Sequence, residues 1–363
     1  MKKILILIPD LNLPGGVSNY YNSVRLDQEQ NIHYFTVNKG RSRSAVGTAW
    51  RLFVNYWKFI FLLVKDRYKL VHVNPSLDRR SFYRDSVFII ISKILRRHTL
   101  VFFRGWTDSF EEKIKVSKVK SFLFKMSYAK VDKYIVLGQI FKLKLIALGV
   151  PEQTEFFIES TVADSSYLNE LDLESKYVSF LEQRKFLFLS RIEKEKGIYI
   201  AVDAFTEFLS KYPEKNSCLT IAGDGPELAA VKKYVTEKRL SNIEFAGHVR
   251  GEQKKKLLIT SHILLFPTYY GEGIPNSILE SMLYGMPVVS RTVGGIPDVV
   301  QNDVNGYLSE SLEPGVFLDF ISLLTSDIDL YKKISNNNYV TAKEKYTTEK
   351  VRERILKIYS GFN

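Results

Sequence analysis

Short apolar runs that alternate with longer stretches of helical periodicity constrain this chain more than any other feature. Ile4–Ile8, His33–Val37, Leu70–Val73, Thr99–Phe103 and Lys133–Val136 are brief, rich in β-branched or aromatic residues and bounded by polar or turn residues, which predicts strands. Between them, Trp50–Val64 carries apolar residues at 50, 53, 54, 57, 60, 61 and 64, with Arg51, Lys58 and Lys65 elsewhere, which predicts a helix. The same grammar returns in Phe186–Leu189, Cys218–Ala222, Ile243–Phe245, Ile263–Phe266 and Val288–Ser290, separated by helical stretches near 197–212, 226–238, 251–260 and 276–284. Strands that alternate with helices are joined by crossovers, and crossovers make parallel sheets covered on both faces. The expected class is α/β. A chain of 363 residues exceeds what one core sustains, so two domains are expected, with the linker in the polar, aperiodic segment Ser160–Ser179.

Composition removes several classes. One cysteine, Cys218, excludes a disulfide framework and points to a reducing compartment. The five histidines (33, 72, 98, 248 and 262) have no second ligand at metal spacing, so no metal site is expected. The apolar run behind Met-Lys-Lys ends at Pro9-Asp10 without a small-residue cleavage site, so it reads as a strand and not a signal peptide. Phe59–Val64, the longest apolar run, is far too short to span a bilayer. The net charge of +12 is uneven: residues 1–160 hold 27 Lys and Arg against 13 Asp and Glu, while 161–363 hold 25 against 27. The first half therefore suits an anionic partner, whether nucleic acid, phosphorylated substrate or membrane surface.

Parallel sheets bind ligands beyond the carboxyl ends of their strands. After the first strand comes Pro14-Gly15-Gly16-Val17, which is either an ordinary turn or a loop through which backbone meets phosphate. After Phe186–Leu189, Arg191 and Lys196 sit at a strand-to-helix junction where two cations could neutralise a diphosphate without a metal. Gly223-Asp224-Gly225-Pro226 lacks the third glycine of a dinucleotide fingerprint, and no P-loop, G-x-S-x-G or H-E-x-x-H occurs. The densest stretch runs from Phe266 to Met282, with Glu272 in a loop and Glu280 on a helix beginning near Asn276, for which Pro275 suits the first helical position. Two carboxylates beside an anion site make sense as acceptors from sugar and ribose hydroxyls.

Residues 183–310 resemble the C-terminal domain of the retaining, GT-B-fold, family 4 glycosyltransferases. The resemblance rests on S-R-I-x-x-x-K-G (190–197), A-G-D-G-P (222–226), F-A-G-H-V (245–249), the E-x7-E pair with L-E-S-M and Y-G-M-P-V-V (272–289), and G-G-I-P-D-V-V (294–300). The first half agrees through Gly15-Gly16 and Val131–Leu137. The resemblance implies two Rossmann-like α/β domains facing across a cleft: an acceptor domain, 1–162, and a donor domain, 163–345, with 346–363 returning to the first. It also implies a diphosphate clamp of Arg191 and Lys196, with Glu280 on the ribose and Glu272 on a donor-sugar hydroxyl. Gly15, Gly16, Gly273, Ile274, Pro275, Asn276 and Ser277 would face sugar or phosphate, and the base would lie near His248-Val249. Many relatives carry His-Gly where this chain has Arg104-Gly105-Trp106, a departure that bears on any His-assisted step; Arg104 and Trp106 are acceptor-side candidates.

The expected activity is transfer of a hexosyl or N-acetylhexosaminyl group, with retention and without a metal or other cofactor. The donor is a nucleoside-diphosphate sugar, UDP-linked in preference to GDP-linked. The acceptor is a lipid-linked saccharide or oligosaccharide in cell-surface polysaccharide assembly, of which capsule and lipopolysaccharide are examples. Phe110–Met126 reads as one helix with Val116, Val119, Phe122, Leu123 and Met126 on an apolar face amid lysines, which is either ordinary core with a solvated rim or a membrane-facing surface. With the charge asymmetry, this places the enzyme in the cytoplasm, peripheral on the inner face of the cell membrane. A nucleotide-sugar epimerase and a nucleic-acid or anionic-surface binding protein are the alternatives, although no nucleic-acid partner is expected.

Overall fold

A computed structural model describes residues 3–13, 15–38, 45–166, 168–240, 242–271 and 273–362. The chain forms two compact units, Met1–Ser160 with Val351–Asn363, and Thr161–Lys350.

In the first unit the strands are β1 (Ile4–Pro9), β2 (Ile32–Asn38), β3 (Leu70–Val73), β4 (Ser76–Leu77), β5 (His98–Phe102), β6 (Gly105–Trp106), β7 (Lys133–Val136) and β8 (Glu155–Ile158). Six of them form a parallel sheet ordered β2-β1-β3-β5-β7-β8, and β4 pairs with β6 in a short ribbon. Ile4 to Leu7 pair with Ile32 to Phe35 on one side and Leu70 to Val73 on the other, which explains an apolar run without alternation. The crossovers are α1 (Gly16–Val24), α2 (Ala45–Lys65), α3 (Arg79–Ile94), the pair α4 (Asp108–Val116) and α5 (Lys118–Met126), and α6 (Gln139–Ala147). Asp78 caps α3 by accepting from the N–H groups of Arg80 and Ser81.

The second unit runs α7 (Leu173–Glu182), β9 (Arg184–Leu189), α8 (Ile198–Lys211), β10 (Ser217–Ala222), α9 (Leu228–Glu237), β11 (Ile243–Gly247), α10 (Gly251–Thr260), β12 (Ile263–Phe266), α11 (Asn276–Leu283), β13 (Val288–Arg291), β14 (Gly306–Ser309), α12 (Pro314–Ser326) and α13 (Ile328–Lys345). Its parallel sheet is ordered β11-β10-β9-β12-β13-β14. The last helix, α14 (Thr348–Ser360), belongs to the first unit. There the Tyr359 hydroxyl lies 2.6 Å from His72 Nδ1 in the core, Arg352 pairs with Glu29 at 2.8 Å and Arg354 with Glu159 at 2.9 Å.

Several elements differ from the sequence reading. The presumed linker contains α7, whose N-terminus is capped by Asp172 and whose Tyr177 and Phe180 are buried. The second unit begins at Thr161, because Thr161 donates to the Ile274 carbonyl and Ala163 bridges Thr347. Phe110–Met126 is two helices: Ser117 is extended and caps α5 through Lys120 N–H. On α2 the buried residues are Phe59 and Leu63, whereas Trp50, Phe53, Trp57, Phe61 and Val64 face outward. The expected apolar face is thus the exposed one, since β-sheet packing takes the opposite side. Strands β8 and β14 and helices α12 and α13 were not anticipated.

Candidate functional site

In the second unit the strand order reverses beside β9, with β10 and β11 on one side and β12 on the other. Open α/β sheets bind ligands at such a switch point. A cleft of about 530 Å³ lies there, against the carboxyl ends of β9, β10 and β11. Leu189, Ser190 and Arg191 form one wall, Ala222 to Gly225 the next, and His248 and Val249 the third. Lys254 from α10 and Glu280 from α11 complete it.

The loops fit one another only because glycines stand at the close approaches. Gly223 has φ +149°, and a Cβ there would lie 1.8 Å from the Ser190 carbonyl oxygen. The Gly223 N–H donates to Gly247 O at 2.7 Å, and Ile192 N–H to Asp224 O at 3.0 Å, tying the three walls together. Gly197, at φ +79°, precedes α8, and a Cβ would lie 2.1 Å from the Pro267 carbonyl oxygen. The A-G-D-G-P glycines are therefore explained by loop packing. Gly15 and Gly16 are different: among the described residues a Cβ at either meets no atom within 4 Å, and neither has the positive φ that favours glycine.

Glu280 is 5% exposed and accepts from Lys254 Nζ at 2.6 Å. Burial pushes its carboxyl above the usual range, and the Lys254 ammonium opposes that rise. Sequence reasoning missed Lys254, which stands in a run of three lysines. The available signal was helical phase, because Lys254 shares a face with buried Leu258 four residues on. Lys255 instead pairs outward with Glu170 and Glu252. A second lysine, Lys176 on α7, is fully buried and donates to Leu258 O at 3.1 Å and Tyr284 O at 2.7 Å. It thereby joins the carboxyl-terminal ends of α10 and α11, the helices that carry Lys254 and Glu280. Burial lowers its pKa to about 7.

Arg191 lines the cleft with its side chain 68% exposed and pairs with Glu193 at 3.0 Å. Lys196 does not line that cleft, and its ammonium lies 4.1 Å from the centroid of Tyr270. Pro275 is the cap of α11 with ψ 130°, one residue earlier than the first helical position expected, and its carbonyl accepts from Ile278 N–H at 3.1 Å. Gly273 is held by a 2.9 Å bond from Gly295 N–H to its carbonyl, and Ile274 is buried, so Asn276 and Ser277 open the helix from a fixed loop. Glu272 lies outside the described residues. In the first unit the Arg104 guanidinium sits between the rings of Tyr20 and Phe102, 3.7 and 3.8 Å from their centroids. The Trp106 indole donates to Glu111 at 2.7 Å. Among the described residues no group of three or more His, Cys, Asp or Glu is placed to hold a metal ion.

Residues 171–341 match the family described as glycosyl transferases group 1. The chain is 26% identical over 188 residues to the N-acetyl-alpha-D-glucosaminyl L-malate synthase of Bacillus anthracis, covering 52% of this chain and 48% of that one. It is 25% identical over 190 residues to the amylovoran biosynthesis glycosyltransferase AmsK of Erwinia amylovora, covering 50% and 44%. The chain thus spans about half the length of these relatives. HepE of Anabaena, solved with UDP and glucose, is similar in structure with a TM-score of 0.72 and 17% identity, covering 99% of this chain and 100% of that one. The likeness is one of fold, and the fold is GT-B, built of two Rossmann-like α/β domains.

Proposed function

We propose that this chain is a metal-independent, retaining glycosyltransferase that moves a hexosyl or N-acetylhexosaminyl group from a UDP-sugar to a lipid-linked saccharide during cell-surface polysaccharide assembly. The observation that carries the reading is the cleft at the switch point of the second unit, where a buried carboxylate and two cations stand together. A nucleoside-diphosphate sugar presents that pairing of needs, ribose hydroxyls that donate and a diphosphate that requires positive charge. HepE, solved with UDP and with UDP-glucose, supports the choice of base.

In this reading Glu280 accepts from the ribose, with Lys254 holding its carboxylate, and the base lies against Val249. Arg191 faces the diphosphate, and Lys196 reaches it by swinging from Tyr270. The first N–H groups of a helix have no intrahelical partner, so those of Asn276 and Ser277 are donors for phosphate or sugar. Gly16, at the start of α1 in the first unit, is assigned to sugar or phosphate by resemblance alone. Departure of UDP develops negative charge on the leaving oxygen, which the cations and helix N–H groups of the second unit stabilise in place of a metal. The acceptor attacks from the same face as the leaving group departs, its proton passing to a phosphate oxygen. Glu272 is assigned to a donor-sugar hydroxyl by resemblance. Arg104 and Trp106 are assigned to the acceptor side, and the working location is the cytoplasmic face of the cell membrane, where an anionic surface is the partner.

The test begins with thermal stabilisation by a panel of UDP- and GDP-sugars, in EDTA. Adding a lipid-diphosphate saccharide should then release UDP and give a product whose anomeric proton coupling shows retention. Glu280→Gln should weaken UDP-sugar binding about tenfold. Isomerisation of the donor without any acceptor would replace this reading with an epimerase.

A further inference from the structure

The outer surface of the first unit carries a feature that donor binding does not use. Helix α2 presents Trp50, Phe53, Trp57, Phe61 and Val64 along one outward face, each between 51% and 65% exposed. The rings form a ladder along the helix: Trp50 and Phe53 are stacked with centroids 5.8 Å apart, and Trp57 meets Phe53 edge-on at 6.1 Å. Large aromatic residues turned to water along the 12 residues from Trp50 to Phe61 are costly unless a partner covers them.

The neighbouring helices extend the same surface. Helix α3 packs between α2 and α5, through Tyr56 against Phe88 on one side and Ser127 Oγ against Ser86 on the other. Exposed apolar residues continue across it, Ile94 on α3 and Val119 and Phe122 on α5, 65% to 76% exposed. Charge identifies what covers them. Residues 45–65, 79–97 and 118–126 contain twelve Lys and Arg and one acid, Asp85, and that acid is consumed by a 2.7 Å pair with Arg84. A second copy of this chain would bring that charge against itself. An acidic protein would match the charge and leave the aromatic ladder needing its own apolar groove.

We infer that the α2–α3–α5 layer is the surface by which the protein lies on an anionic phospholipid bilayer, with α2 parallel to the membrane plane and its aromatic ladder at the level of the acyl–headgroup boundary. An interfacial helix of this kind pairs aromatic residues on one face with flanking cations that meet anionic headgroups. Among the described residues no helix is long and apolar enough to cross a membrane, so contact is with one leaflet. This deepens the membrane part of the proposed function by naming the surface. It needs neither donor nor acceptor.

The test is co-sedimentation of the full chain with vesicles of phosphatidylglycerol or of phosphatidylcholine. Binding should be strong to the first at low salt and weak to the second. Phe53→Ser with Trp57→Ser and Phe61→Ser, all at exposed positions, should reduce partitioning about tenfold or more. The ladder holds two of the three tryptophans; the third, Trp106, is half-buried against Glu111. Lipids brominated in the acyl chain should therefore quench fluorescence in the wild type, and Trp50→Phe with Trp57→Phe should abolish quenching while sedimentation persists. The inference is overturned if the wild type stays in the supernatant, binds without quenching, or binds as well after the triple substitution. Self-association lost in the triple variant without lipid, or retention by polyuridylate with none by vesicles, also overturns it. Stabilisation by a UDP-sugar is read separately, so failure of docking and failure of the donor reading are told apart.

Discussion

Glu280 and Lys254 show how a single pair can be both structural and functional. A carboxylate on a helix buried in the second unit would ordinarily take a proton, and burial does push its pKa up, but the ammonium 2.6 Å away favours the ionised form. Lys254→Met should therefore cost about 1–3 kcal/mol of stability at neutral pH, because it leaves a buried carboxylate without its cation. Without Lys254 the folded-state pKa of Glu280 rises further. The folded variant then takes up a proton that the unfolded chain binds only at lower pH, and the deficit shrinks on acidification. Denaturant titrations at pH 7.5 and pH 5 should show the gap between wild type and variant narrowing. UDP binding should weaken in parallel, since the same carboxylate is assigned to the ribose.

At the level of elements, α7 and α10 to α11 behave as one assembly held by Lys176. The folded lysine loses its proton near pH 7, far below its ordinary 10.5, because burial disfavours the charge. Between those values the unfolded chain binds more protons than the folded one, so this group makes stability rise with pH across that window. Lys176→Met should flatten the rise of the thermal midpoint between pH 7 and pH 10. His262 acts in the same sense at lower pH. It is held neutral, with a pKa of about 3, chiefly by burial and then by nearby cations, and its ring bonds the Lys185 N–H and the Ser179 hydroxyl. Stability from it is complete above its ordinary 6.5 and is lost as the pH falls.

At the scale of the molecule, the chain leaves its first unit at Ser160 and returns to it at Val351. The returning helix brings Val351, Ile355, Ile358 and Tyr359 into that unit's buried side, and Arg354 pairs with Glu159 there. A chain ended after Lys350 should lose amide protection in the first unit, β3 above all, because His72 loses Tyr359. Protection in the second unit should be retained. Hydrogen exchange followed by mass spectrometry separates these outcomes.

The amino-acid sequence alone determined that this protein is α/β with parallel sheets, because apolar runs without alternation belong to strands buried on both faces. It also marked loops that line the cleft of the second unit, since a strand followed by glycine or cations and then a helix is a local pattern. Arg191 and Glu280 could be named from such stretches, and Val249 only through the family resemblance. Tertiary structure decided what no local pattern settles: that Lys254, marked among three lysines only by helical phase, meets Glu280, that Lys176 in an apparently polar linker is buried, and that Lys196 rests on Tyr270. It also decided which side of α2 is core. The helix is apolar on two faces, and periodicity cannot say which of them a sheet will cover. That choice left Trp50, Phe53, Trp57 and Phe61 facing outward, where only another surface can bury them.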